Sequence, residues 1–250
     1  MGLVPDYRRT DRIIRRWPVA PVQFNRKSFT LNGTDEYIVH GNVLDKSNTD
    51  PITICGWFKS SAFVSEYLVS KFGVTPTLAG YGLRLNVGLI DYRLYTTTGT
   101  CGVQSVSSAF ADGTWHFIAA GYDGSVSASG ITIMADGAIQ GTTINGDDLV
   151  ADISNTGDFR ISGRTGDLLL LNGSCDEVSV WSRKLTPSEM SEVYRARDLR
   201  LLPFARHLQG YWSGDGSDGS IMPDYSGNGY NGTPQNMDAS NFTTDVHTPT

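Results

Sequence analysis

The sequence predicts an all-β sandwich of two antiparallel sheets with one short helix and an extended N-terminal arm. Three observations carry the sandwich. Ile131, Ile133 and Ala135 alternate with polar or smaller neighbours and run into Asp136-Gly137, a dipeptide suited to the positive φ values of a two-residue hairpin. Trp115, Phe117 and Ala119 share one strand face while His116, Ile118 and Ala120 share the other, so an inner strand covered on both sides is implied. The 28 glycines punctuate short strands, as a sandwich requires.

The helix is predicted to start after Thr186. Thr186 caps it, Pro187 takes the first helical position, Glu189 completes a capping box, and Leu185 can staple onto Met190. Met190, Val193 and Tyr194 then face inward, and the charged run from Arg195 to Arg200 faces solvent.

A chain of 250 residues that is 39% hydrophobic and 10% aromatic can build one sizeable core. The expected organisation is an arm over residues 1–27, a sandwich over 28–234 and a polar tail over 235–250 that forms a surface strap or stays disordered. No apolar run approaches the roughly 18 residues of a membrane helix, and no apolar stretch follows the N-terminal charges as in a secretory leader. Cys55, Cys101 and Cys175 are expected as buried reduced thiols.

Charge divides the chain. Residues 1–27 hold seven Arg or Lys against two Asp, and the remainder holds thirteen against twenty-four Asp or Glu. Arg8, Arg9, Arg12, Arg15 and Arg16 surround Ile13, Ile14 and Trp17, with Pro5, Pro18 and Pro21 spaced around them. Such a segment has no core of its own and is expected to dock along an apolar groove of a neighbouring subunit rather than a phosphate track. The acidic body is expected to repel nucleic acid and anionic membranes.

Several segments match one recurring pattern. Ser28 to Val39 holds a strand and an Asn-Gly turn, and Ile52 to Lys59 an apolar strand ending in Trp57-Phe58-Lys59. Asp112-Gly113-Thr114-Trp115-His116 leads a third strand through Tyr122-Asp123-Gly124, followed by the hairpin of 131–141. Phe159 to Arg164, and Leu171 to Trp181 with Leu185 to Met190, read as closing strands and helix. The chain resembles a laminin G-like, concanavalin A-like sandwich, of the jelly-roll type. Its order is permuted, because Leu208 to Ser213 and Asp224-Tyr225-Ser226-Gly227-Asn228-Gly229-Tyr230-Asn231-Gly232-Thr233 resemble that family's opening strand and motif yet stand last.

The resemblance implies a structural calcium near the displaced motif, with Asp224, Asn228, Asn231 and Asp176 as ligands. Asx turns at Asp224 and Asn228 are the competing reading. Enzymes of this sandwich class carry carboxylates at alternate strand positions; here Asp176 and Glu177 are adjacent and expected on opposite faces, so no catalysis is expected. The leading expectation is a homo-oligomeric virion decoration protein of a phage capsid or tail, made in the host cytoplasm and docked through its arm. The alternative is a carbohydrate-binding module or adhesin, cell-surface or extracellular, whose Tyr81, Tyr92 or Tyr95 stack on sugar rings.

Overall fold

The computed structural model describes residues 26–73, 78–166 and 168–247. The docking residues Arg8, Arg9, Arg12, Ile13, Ile14, Arg15, Arg16 and Trp17 lie outside the described residues. Two antiparallel sheets of eight strands each form the sandwich. Sheet A runs β10 (Ala138–Ile139), β9 (Ile131–Ala135), β8 (His116–Tyr122), β3 (Ile52–Ser60), β13 (Asn172–Trp181), β1 (Ser28–Asn32) and β16 (Phe242–Thr243), with β14 (Leu208–Trp212) also paired to β13. Sheet B runs β11 (Thr142–Asp147), β7 (Thr100–Ser105), β6 (Leu89–Tyr95), β5 (Gly80–Asn86), β4 (Ser65–Phe72), β12 (Phe159–Ile161), β2 (Tyr37–Val39) and β15 (Thr233–Gln235).

The core between the sheets follows from alternation. Ile54, Phe58, Ile118 and Val180 point into it from sheet A, and Leu83, Leu85, Ile90 and Leu94 from sheet B. The opposite side of β3 and β8 carries Cys55, Trp57, Phe117 and Ala119, buried beneath α1 (Pro187–Arg195). β8 is therefore covered on both faces, as its sequence predicts. Thr186 and Glu189 make the reciprocal capping box, and Met190 and Val193 are buried. Asp136 and Gly137 both take positive φ, 49° and 79°, which closes the 131–139 hairpin with the twist its strands need. All three cysteines are buried and free. Among the described residues no helix is long and apolar enough to cross a membrane.

The displaced C-terminal segment completes sheet A. β3 takes one edge of β13, and the other edge is shared: β1 pairs along Asn172 to Cys175, β14 along Val178 to Trp181. The Asp224 motif seats itself on β14, with Tyr225 N donating to Tyr211 O at 2.7 Å. Residues beyond 234, read in the sequence as a polar tail, form a strap belonging to the sandwich. β16 pairs with β1 and Phe242 enters the core, so the folded body continues to His247.

Where β1 gives way to β14, β13 carries an extra residue. Its register against β3 shifts between Asp176 and Ser179, and Glu177 adopts φ 48°. The expectation that Asp176 and Glu177 diverge is therefore overturned. Cys175 and Val178 both face the core, so a regularly alternating Glu177 would have entered it without a counter-charge. The bulge turns it outward beside Asp176.

Candidate functional site

The outward face of sheet B holds a shallow cleft of about 200 Å³ lined by Tyr67, Phe72, Leu78, Arg84, Tyr95, Arg164 and Leu169. Alternation positions most of it. On β6, Ile90, Tyr92 and Leu94 face the core, leaving Asp91, Arg93 and Tyr95 outward; on β5, Tyr81, Leu83 and Leu85 face the core, leaving Gly80, Gly82 and Arg84 outward. Gly82 is the floor. A Cβ there would lie 2.6 Å from Tyr67 Cε1 and 3.0 Å from Phe72 Cε2, so glycine alone lets both rings lie flat on the strand.

The rings pack edge to face, Tyr67 on Phe72 with centroids 5.4 Å apart and Phe72 on Tyr95 at 5.5 Å. Arg84 lies over the Tyr67 ring at 5.6 Å. Behind it Asp91 is wholly buried: Arg84 Nε and Nη2 donate to its Oδ2 at 2.9 and 2.7 Å, and Arg93 Nε to its Oδ1 at 2.9 Å. Burial pushes the Tyr67 phenol up, against the opposing charges of Arg84 and Arg164. Leu78 and Leu169 are exposed at 38% and 39%, forming apolar rims.

Of the three tyrosines singled out in the sequence, only Tyr95 reaches this cleft. Tyr81 and Tyr92 belong to the core at 1% and 0% exposure, and Tyr81 donates its hydroxyl to Leu44 O at 2.7 Å. They cannot stack on a sugar, because the alternation that aims Tyr95 out aims Tyr92 in. Tyr67, Arg84, Asp91 and Arg93 were missed. The signal for Asp91 and Arg93 lay in the polar positions interleaved with Ile90, Tyr92 and Leu94, and that for Arg84 in the polar position between Leu83 and Leu85.

The four expected calcium ligands do not assemble. Asp224 spends its oxygens on Tyr211 N, Ser226 N, Ser226 Oγ and Tyr230 N at 2.9 to 3.0 Å, and Asn231 Oδ1 accepts from Asp224 N at 2.8 Å. Asn228 turns its NH₂ group to the carbonyls of Leu208 and Gln209. Oxygens so engaged do not fit a hard cation, whereas they complete an Asx turn. Asp176 lies elsewhere, at the bulge, accepting from Ser213 Oγ at 3.1 Å. Among the described residues no group of His, Cys, Asp and Glu is arranged for a metal.

Asp176 and Glu177 instead form a buried cluster with the C-terminal strap. His247 stacks on Trp57 with centroids 3.9 Å apart and planes at 5°, its Nε2 3.4 Å from Glu177 Oε2 and 3.9 Å from Asp176 Oδ2. Burial, then the Glu177 charge, pushes Asp176 up; burial, then Asp215 and Asp198, pushes Glu177 up. Burial lowers His247 to about 4. A wider hollow of about 440 Å³ beside the strap is lined by polar groups such as Lys59, Asn172 and Asp245, and Lys59 is already bonded to Asp245 at 2.5 Å.

Among solved structures the chain is similar to a Bacteroides ovatus protein provisionally named as carbohydrate binding, with TM-score 0.63 and 18% identity over 92% of this chain and 62% of that one. It is also similar to the binding domain of Paraclostridial Mosquitocidal Protein 1, with TM-score 0.51 and 15% identity over 67% of this chain and 43% of that one. A heptameric SAP-like pentraxin from Limulus polyphemus gives TM-score 0.50 and 16% identity, over 68% of this chain and 82% of that one. The chain thus spans under two thirds of the first two proteins, and the likeness to all three is one of fold. No curated protein matches it. Its own sequence, over residues 32–191, matches a family described as the concanavalin A-like lectin/glucanases superfamily, and with a two-sheet sandwich built as that sequence predicts, the chain belongs to that family.

Proposed function

We propose that this chain is a non-catalytic carbohydrate-binding domain whose ligand lies on the open face of sheet B. The cleft carries this reading: a half-buried Tyr95 ring at the rim, Tyr67 and Phe72 as floor, and guanidinium groups beside them. Sugars present apolar C–H faces to aromatic rings and hydroxyls to charged groups, and this cleft offers both. The carbohydrate-binding name of the Bacteroides ovatus relative supports it. The non-catalytic reading is supported by the carboxyl pair: Asp176 and Glu177 are buried against His247 and Tyr211 on the other sheet, where no polymer reaches them. The test is calorimetric titration of the full chain with a panel of oligosaccharides. At least one should bind and lose binding in Tyr95→Ala with at most a small fall in melting temperature; binding indifferent to Tyr95→Ala would move the site elsewhere.

A role as a virion decoration subunit remains a second proposal, supported by the composition of residues 1–27 and by the anchoring of their last two. Asp215 Oδ1 accepts from Arg26 N and Lys27 N, both at 3.0 Å, which fixes the root of the arm to the sandwich. Such a subunit could display the sugar-binding face outward. Deleting residues 1–22 should leave a folded domain that no longer joins its assembly.

A further inference from the structure

The body of the protein is acidic, yet the charge gathered at the cleft is basic. Of the thirteen Arg and Lys outside residues 1–27, Arg84 and Arg164 line the cleft and Arg93 stands directly behind it. One carboxylate, Asp91, answers both Arg84 and Arg93. Two guanidinium groups against one carboxylate leave a positive charge in surplus, and Arg164 adds a second, since it makes no ion pair among the described residues.

The geometry leaves donors to spare. Asp91 takes Nε and Nη2 of Arg84, so the Nη1 edge is not spent on that carboxylate. Arg164 lines the same cleft half-buried, with no ion pair to a described carboxylate, and its charge acts with that of Arg84 on the Tyr67 phenol. A planar guanidinium offers paired N–H donors that match the two oxygens of a carboxylate or sulfate. A neutral sugar would leave this surplus unanswered in a half-dry cleft, whereas an anion completes it.

Resting on the carbohydrate reading above, we infer that the ligand is an acidic saccharide, its carboxylate or sulfate held by Arg164 and the remaining edge of Arg84 while its ring lies on Tyr95. The full chain is titrated with three oligosaccharides of equal length: an oligogalacturonate, a sulfated galactan fragment and a neutral galactan fragment. At least one acidic probe should bind more tightly than the neutral one, weaken as salt is raised, and lose at least about tenfold in affinity in Arg164→Gln. Arg164→Lys should retain part of that affinity, and both variants should melt as the parent does. Which acidic probe binds identifies the anion as carboxylate or sulfate. Equal or tighter binding of the neutral probe, unaffected by Arg164→Gln, overturns the inference and leaves the carbohydrate reading standing. Failure of all three probes, with binding of other saccharides lost in Tyr95→Ala, overturns the inference alone; no saccharide binding at all overturns both.

Discussion

The two outer faces of the sandwich carry similar residues and do opposite things with them. On sheet A, Trp57, Phe117 and Tyr211 are sealed under α1 and the strap, together with two carboxyl groups and a histidine. On sheet B, Tyr95 and Arg84 stand at a cleft that the described residues leave open. Cover, not composition, makes the difference. A lidded aromatic face contributes stability by burial, while an uncovered one keeps its contact energy for a ligand.

Truncating one aromatic on each face tests this contrast most strongly. Trp57→Ala should cost about 3–5 kcal/mol of unfolding free energy, because it empties a site packed by His247, Tyr194 and Phe117. Tyr95→Ala should cost about 1 kcal/mol or less and remove saccharide binding instead. Comparable losses in urea titration would erase the distinction between the faces.

The carboxyl pair sharpens the same contrast through pH. Glu177 is held above its ordinary 4.5, so its contribution to stability is complete at lower pH and is lost as pH rises through the raised value. Glu177→Gln has no charge to bury. It should unfold with more difficulty than the parent at neutral pH, with an advantage that widens from pH 5 to pH 8 by up to about 1.4 kcal/mol per unit. A pH-independent difference would mean that solvent already reaches the pair.

Gly82→Ala should cost a modest amount of stability, about 1–2 kcal/mol, from crowding Tyr67. Its mark is functional, since lifting the Tyr67 ring closes the cleft. Undiminished saccharide affinity in this variant would place the ligand away from the Tyr67–Tyr95 floor.

The parts legible in the sequence are those whose causes are local. The capping box at Thr186, the Asp136-Gly137 turn and the two-faced apolar strand around Phe117 are all written within a few residues. The bulge at Glu177 is not, because it answers to what lies on the far side of β13. The strap was underread for a similar reason: Phe242 and His247 are isolated in a polar stretch, and the pairing with Phe29 and the stacking on Trp57 that hold them come from more than 180 residues away. Of the three tyrosines, Tyr95 faces outward and Tyr81 and Tyr92 face the core, since aromatic content marks a strand while only register tells its inside from its outside.

The shared edge of β13 also has a consequence in time. Among the described strands β1 is made before the others, yet its hydrogen-bonding neighbours are Asn172 to Cys175 on one side and Phe242 and Thr243 on the other, with side-chain bonds spanning 144 and 215 positions. During synthesis, β1 therefore waits for Asn172 to Cys175 to cover one edge and for Phe242 and Thr243 to cover the other. Contacts so remote in sequence make folding slow, and the waiting strand is an open edge to any other nascent copy. A chain cut short before Phe242 keeps that edge of β1 unpaired, and it should aggregate at concentrations where the full chain stays in solution.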